Sequence, residues 1–362
     1  MKNFLKLILK VAVFLVIFSI IFFPVQELLR AKWGIGTTGA RETTNAFGFY
    51  DLPENTLDVM VFGASESFYD VSPLTMYENN GFTSYVRGSA NQPVYLMYYT
   101  ILDSLRTQSP EIIVLECGPM LKTFNPADGD EWLTRRGMDY MELSSVKLEA
   151  ICNLPIDGSD QSKLSYVFPL LRYHSRWSEL DQYDFEYFDW EAHNEFKGQY
   201  PGISSYEVTL PADYMAVPTE KAEVIPEDTM VYIQKIIDLC KDRGIEPVII
   251  KAPTSGWTYE KHNAIQHIVD ENGLMFIDFN LPEILKEIGI DTKKDFHYNE
   301  WHLGLRGADK VSVFLGDYLD DTYELPDRRS DSNNSSWDED LAVYKELKKT
   351  NGIETKLTRG TE

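Results

Sequence analysis

"VFGASESFYD", residues 61–70, leaves an apolar run and enters a Gly-Ala-Ser-Glu-Ser turn. Together with the preceding "TLDVM" it predicts a short strand, Val59 to Phe62, apolar enough to be buried on both faces. Which fold this strand opens depends on the elements after it. A helix is expected from near Ser72, with Pro73 in its first turn. "FTSYVRGSANQ" (82–92) gives a second strand and another small-residue turn, "PVYLMYYTILDSL" (93–105) a helix, and "PEIIVLECG" (110–118) a third buried strand. The alternation resumes after residue 225. "EDTMVYIQKIIDLCKDRG" is a helix stopped by Gly244, "IEPVIIKAPT" a strand, "YEKHNAIQHIVDENG" a helix ending at Gly273, and "LMFIDF" a strand. Val311, Phe314, Leu315, Tyr318 and Leu319 then form one face of a helix starting near Arg306. Five short apolar strands alternating with helices predict an α/β fold with a parallel, doubly wound sheet and right-handed crossovers. In such sheets ligands sit outside the carboxyl ends of the strands.

The rest of the 362-residue chain departs from this pattern in three places. Residues 1–32 carry no charge from Val11 to Gln26, and Lys6 and Lys10 can snorkel, so the segment is long enough to span a membrane. Lysines before the run place the N-terminus in the cytoplasm and send the remainder of the chain across, as a single-pass signal anchor at a bacterial cell membrane. A cleaved signal peptide is the rival reading, but "FFPVQELLRAKW" offers no small-residue cleavage site. Residues 121–225 form an insertion between the two halves of the sheet domain, 33–120 and 226–326. Its "RYHSRWSELDQYDFEYFDWEAHNEF" is too aromatic for a flexible linker and reads as a lid or a partner surface. Residues 327–362 are a polar tail containing a helix.

Charge narrows the function classes. Residues 1–32 hold five of the 34 basic and one of the 57 acidic side chains, so the remainder carries 29 basic against 56 acidic, a formal −27. A surface that acidic repels nucleic acid, and no nucleic-acid partner is expected. Three cysteines, Cys117, Cys152 and Cys240, are an odd number set far apart and read as buried thiols. No His/Cys/Asp cluster has metal-ligand spacing and no glycine-rich phosphate loop is present, so neither metal nor cofactor is expected.

Three strand ends carry the candidate chemistry: "GASES", "RGSANQ" and, beyond the fifth strand, "DFHYNEWHLGLRGADK" (295–310). Ser65 at a strand-to-helix turn would have an exposed hydroxyl and backbone amides directed at a developing oxyanion. Small residues are also an ordinary connector, so the turn alone leaves both readings open. A serine nucleophile needs a base, and His302 is the histidine expected at a strand's carboxyl end before the last helix. His297 lies on the same loop, His262 and His267 in a helical pattern, and His174 and His193 in the insertion. Lys251 ends a strand on the same side, either to contact an anionic substrate or simply to be solvated. Glu66 and Asp70 read as helix-start charges without chemistry.

The first-strand Gly-x-Ser, the glycine turn after the second strand, and a terminal x-x-His followed by "LGLRGADK" resemble the SGNH/GDSL hydrolase superfamily. Within it, the chain looks most like the membrane-anchored, DltD-like branch, which serves teichoic-acid D-alanylation and surface-polysaccharide acyl transfer. The resemblance covers the anchor and residues 57–118 and 228–320. It implies a flavodoxin-like three-layer α/β/α fold and ester chemistry on a cell-surface glycopolymer or teichoic-acid-like substrate. It implies Ser65 as nucleophile, His302 as base, and an oxyanion hole from the Ser65 and Gly88 amides with Asn91 or Gln92, Gln92 being favoured. It also implies pocket contacts from His174 and Arg176 and a membrane-bound O-acyltransferase as partner. Where the family has the orienting Asp, three residues before His302, this chain has Asn299. The orienter is then Asn299 itself or an acid of the same loop, Asp295 or Glu300. A catalytically inactive scaffold that binds polymer or recruits the acyltransferase is the alternative.

Overall fold

The computed structural model describes residues 1–33, 41–126, 129–156, 162–186, 188, 193–211, 214–215, 217–329, 331 and 334–353. Its centre is a five-stranded parallel sheet: β1 (Val59–Gly63), β2 (Ser84–Gly88), β3 (Ile112–Glu116), β4 (Glu246–Lys251) and β5 (Met275–Asp278), in the order β2-β1-β3-β4-β5. Alternate residues of each strand feed two separate cores. Met60 and Phe62 of β1 face one core; Val59 and Val61 face the other. Helices must therefore cover both faces. On the first lie α5 (Val94–Ser104), α11 (Glu227–Arg243) and α12 (Tyr259–Asn272); on the second lie α3 (Ser65–Asp70) and α14 (Leu305–Tyr323). Helix α4 (Pro73–Asn80) packs on α14 and sends residues into both cores. This is the expected doubly wound α/β class, and its strand order reverses between β1 and β3, where a crevice opens at the carboxyl ends.

Outside the sheet, α1 (Lys2–Leu29) is long and apolar enough to cross a membrane, with a mean hydropathy of 2.7 over its best window and none of that window buried. Helix α2 (Arg41–Tyr50) packs on β2; residues 34–40 of the polar stretch lie outside the described residues. The described part of the insertion holds α6 (Glu131–Met138), α7 (Ser145–Asn153), α8 (Leu164–Val167), α9 (Leu170–Tyr173), a 3-10 turn (His174–Ser178) and α10 (Gln182–Glu186). Helix α13 (Pro282–Ile288) follows β5, and α15 (Ser335–Thr350) closes the described chain; residues 354–362 of the tail lie beyond it. The tail helix is bound rather than loose. Tyr344 Oη and Lys348 Nζ both donate to the buried Asp309 of α14, at 2.8 and 2.5 Å.

Two local readings change. The helix expected near Ser72 is preceded by a separate one, α3, which begins at Ser65 itself; Ser72 then caps α4 by accepting from the Thr75 amide at 3.3 Å. Cys117 and Cys240 are buried thiols, but Cys152, on the outer side of α7, is exposed.

The entry to the site depends on two glycines. Gly63 and Gly88 are register partners at the ends of β1 and β2. A Cβ on Gly88 would stand 2.6 Å from both the Gly63 carbonyl oxygen and Ser67 Oγ. Glycine therefore lets α3 turn back tightly over the strand ends. Gly88→Ala is expected to cost about 1–3 kcal/mol through overpacking and to lower Tm by several degrees; an unchanged melting curve would mean that α3 shifts freely.

Candidate active site

Ser65 reaches the crevice because β1 ends there. Ala64, with extended backbone, serves as N-cap, and Ser65 is the first residue of α3. Its N–H is among those that a helix start leaves without intrahelical partners. His302 arrives from a loop folded on itself: the His297 amide donates to the His302 carbonyl at 2.8 Å, and the Gly304 amide to the Asp295 carbonyl at 2.7 Å. The Leu303 amide donates to Asp70 Oδ1, at the end of α3, at 2.8 Å, tying this loop to the helix that carries Ser65. Two aromatic rings hold the imidazole. Tyr69 lies 4.6 Å from it between ring centroids, and Tyr298, itself at φ 39°, stacks at 5.4 Å.

The result is a hydrogen-bonded series. Ser65 Oγ lies 2.8 Å from His302 Nε2, and His302 Nδ1 lies 3.0 Å from Asn299 Oδ1. The amide orientation is set by its neighbours: Asn299 Oδ1 also accepts from the Trp301 and His302 backbone amides, at 3.0 and 3.1 Å. An atom with two backbone donors is an acceptor, so His302 Nδ1 must carry the proton that it donates to the same oxygen. Nε2 is then left with a free lone pair aimed at the serine hydroxyl. That tautomer is the one a general base needs.

Behind the serine lies a buried charge cluster. Lys251 Nζ, at the end of β4, meets Glu66 Oε1 and Glu116 Oε1, each at 2.7 Å. Glu116 also accepts from the Gly118 amide at 3.1 Å. Burial, reinforced by the negative charge of Glu66, pushes the Glu116 carboxyl up to about 7, against the pull of Lys251. Burial alone would lower Lys251, yet the two carboxylates hold it well above its ordinary value. Burial and Glu66 together also raise Asp70 well above the usual carboxylate range, opposed by the Leu303 N–H.

Ser65, Glu66, Lys251, Asn299 and His302 line a cleft of about 720 Å³. Trp132, Trp257, Trp301, Tyr69 and Tyr298 supply aromatic walls; Lys122, Lys261 and Arg136, the last paired with Glu42 at 2.8 Å, bring positive charge and Glu223 negative charge. A second cleft of about 880 Å³ opens beyond Tyr69 and Tyr298, but Ser65 and His302 face the smaller one.

The sequence candidates fare differently. Ser65, His302 and Asn299 come together. Asn91 lines the cleft, on left-handed backbone at φ 51°. The favoured Gln92 does not: it is buried, accepting from the Ser89 amide at 3.1 Å and donating to Thr100 Oγ1 at 3.1 Å, so it staples the turn to α5. Gly88 sits beside the Ser67 hydroxyl and lines the neighbouring larger cleft. Asp295 does not orient the ring: His302 Nδ1 meets Asn299, while Asp295 Oδ2 accepts from Lys310 Nζ and the Asp291 amide, both at 2.6 Å. The Glu300 backbone carbonyl accepts from the Ser255 amide at 3.1 Å. Lys251 is neither solvated nor free for substrate. Arg176 turns away to the end of α1, and exposed His174 bonds to its own turn, Nδ1 to the Leu171 carbonyl at 3.3 Å. Of the other histidines, His262 pairs with Asp278 and His193 with Asp340, each at 2.7 Å, and His297 Nδ1 meets Ser204 Oγ at 2.6 Å. Among the described residues no group of His, Cys, Asp and Glu is placed to hold a metal ion. Sequence reasoning missed the Glu66–Lys251–Glu116 cluster. Its signal was available: "IIVLE" and "VIIK" are buried strands closed at their carboxyl ends by opposite charges.

No family model matches the chain, and no curated protein matches it. Among solved structures, a Bacteroides fragilis protein provisionally described as an acylhydrolase aligns over 76% of this chain and 94% of its own, with a TM-score of 0.36 and 11% identity. A likeness that weak supports no inference about function.

The Glu116 carboxyl binds its proton more tightly in the folded chain, at about 7 against an ordinary 4.5. Its contribution to stability is therefore complete below about pH 4.5 and is lost as the pH rises to about 7. Glu116→Gln should remove that component, by as much as ~1.4 kcal/mol per pH unit, so its Tm should fall less steeply than wild type from pH 4.5 to 7. Parallel slopes would show that Glu116 does not titrate in this window.

Proposed function

We propose that the chain is a membrane-anchored serine esterase or O-acyltransferase of SGNH type, acting on acyl esters of a glycopolymer outside the cytoplasm. The observation that carries this reading is the approach of Ser65 Oγ to His302 Nε2 at 2.8 Å, with Nδ1 held on Asn299. In the first half-reaction Ser65 Oγ bonds to the acyl carbonyl carbon while its proton passes to Nε2. The carbonyl π pair moves onto oxygen, where the Ser65 amide and the Asn91 side chain are candidates to stabilise it. Collapse breaks the ester C–O bond, and the departing alkoxide takes the proton from Nε2, leaving an acyl-enzyme. Water or a sugar hydroxyl then enters by the same steps and releases Ser65. Aromatic walls suit sugar rings, and Lys122 and Lys261 could meet an anionic group of the polymer in an otherwise strongly acidic domain. The lysines before the apolar run of α1 favour a cytoplasmic N-terminus. The acyl donor would come from a membrane-bound O-acyltransferase, whose proximity an anchor converts into effective concentration.

A catalytically silent polymer-binding scaffold is the second reading, favoured by the uncharged amide at Asn299. Full-length protein in detergent, treated with a fluorophosphonate probe and with p-nitrophenyl acetate, separates the two. The enzyme reading expects labelling and turnover that Ser65→Ala abolishes; wild type that neither labels nor turns over would sink it.

Asn299→Asp gives a sharper expectation. A carboxylate oxygen can accept the same three donors and adds the charge that stabilises an imidazolium, so kcat/KM for the ester should rise about tenfold or more. Loss of the charge in a Ser-His-Asp protease costs ~10⁴ in kcat, although much of that reflects a wrong tautomer. A fall in Asn299→Asp activity would place the orienting role elsewhere.

A further inference from the structure

Helix α1 ends in a socket made by the insertion. Arg176 Nη1 donates to the Leu29 and Arg30 carbonyls, both at 2.9 Å, satisfying oxygens that a helix end leaves open. Its Nη2 pairs with Asp184 of α10 at 3.1 Å, and the buried Asp184 also faces Lys32 at 3.3 Å. On the other side Arg30 donates to the Asp139 carbonyl at 2.9 Å, and Trp33 Nε1 to the Asp139 carboxylate at 3.0 Å. The same elements turn large apolar side chains outward. Trp177, directly after Arg176, is 72% exposed; Phe185, directly after Asp184, and Leu171 of α9 are each 57% exposed. Leu164 and Phe168, at either end of the neighbouring α8, are exposed as well.

Their height is set by α1. Its apolar run closes at Val25, and Leu29 lies four residues further on, about 6 Å at 1.5 Å per residue. The headgroup region on each side of a bilayer is roughly 5–8 Å deep. The socket therefore falls at the depth where tryptophan and other amphipathic or bulky side chains anchor to membranes, and α9, the 3-10 turn and α10, which carry Leu171, Trp177 and Phe185, pack against α1 there.

We propose that Leu164, Phe168, Leu171, Trp177 and Phe185 dock into the headgroup region of the lipid surface that α1 crosses. The proposal rests on the reading of α1 as a membrane span. The insertion then holds the domain at a second point and fixes the height of the cleft. Trp33, just beyond α1, packs on Trp132 at 6.5 Å between ring centroids, and the Arg136 guanidinium lies 4.7 Å from the Trp132 ring; both Trp132 and Arg136 line the cleft.

The test uses full-length protein in nanodiscs of phosphatidylglycerol and phosphatidylcholine, in a Cys152→Ser background that leaves only the buried Cys117 and Cys240. Trp177→Cys, Leu171→Cys and, within α1, Phe14→Cys are each labelled with nitrobenzoxadiazole and challenged with phosphatidylcholine spin-labelled at acyl carbon 5 or 12. Docking predicts that labels at 171 and 177 are quenched at least twofold more by the shallow spin label than by the deep one, and that the label at 14 shows the reverse. Quenching at 14 without quenching at 171 and 177 overturns the docking and leaves the anchor standing. No quenching at 14 overturns the anchor and the docking with it. A label at 177 that is blue-shifted only when two copies share a disc, and unquenched by lipid, assigns the surface to a second copy and overturns the proposal.

Discussion

One buried ammonium gathers the carboxyl ends of the sheet. Lys251, closing β4, is held between Glu116, closing β3, and Glu66, the residue after Ser65 in α3. A lysine in that position would be strongly unfavourable without a carboxylate partner, and Glu116, already raised to about 7 beside the lysine, would be harder still to ionise without it. The lysine and its carboxylates therefore stabilise one another. Because Glu66 is covalently next to Ser65, the pairing also fixes where the first turn of α3 starts and so where the serine hydroxyl points. The Asp70–Leu303 contact works at the other end of the same helix, binding the His302 loop to it. Both halves of the Ser65–His302 pair are thus referred to a single six-residue helix.

Much of the sheet was legible in the sequence because its information is local. Val59–Phe62, Ile112–Leu115 and Val248–Ile250 are apolar on both faces, α5, α11 and α12 have apolar spacing, and Gly244 and Gly273 stop the last two. The positions of Ser65 and His302 could be read from the same pattern, since strand ends in this class converge. Orientations within loops were not legible. Asn91 and Gln92 are adjacent amides, and the left-handed backbone at Asn91 and the Thr100 hydroxyl one helix away send one to the cleft and the other inward. Asp295 looked free to orient an imidazole until Lys310, on α14, came within reach of it. Arg176 carried no sign of its partners, which are carbonyl oxygens nearly 150 residues earlier. In each case the deciding partner is distant in the chain and the choice is one of direction rather than residue type.

The amide at Asn299 is easier to interpret in place than on paper. Read as a departure from a family pattern, it suggested a weakened or silent site. In the structure its oxygen is committed by two backbone donors, which prevents the amide from presenting N–H to the histidine. What is missing is charge, not geometry. On the proposed mechanism the consequence is confined to the step in which the imidazole becomes cationic.

The packing of Trp33 on Trp132 leaves almost no slack between α1 and the cleft. A site joined to a membrane span through a long flexible linker can sweep a volume and sample polymer at many distances from the bilayer. A site joined this closely to a span, as proposed for α1, would work within a thin layer, its encounters governed by lateral movement in two dimensions. On the reading proposed above, substrate choice is partly a choice of place: chains whose acyl esters lay beyond that layer would be excluded by distance, however well their chemistry fitted the cleft.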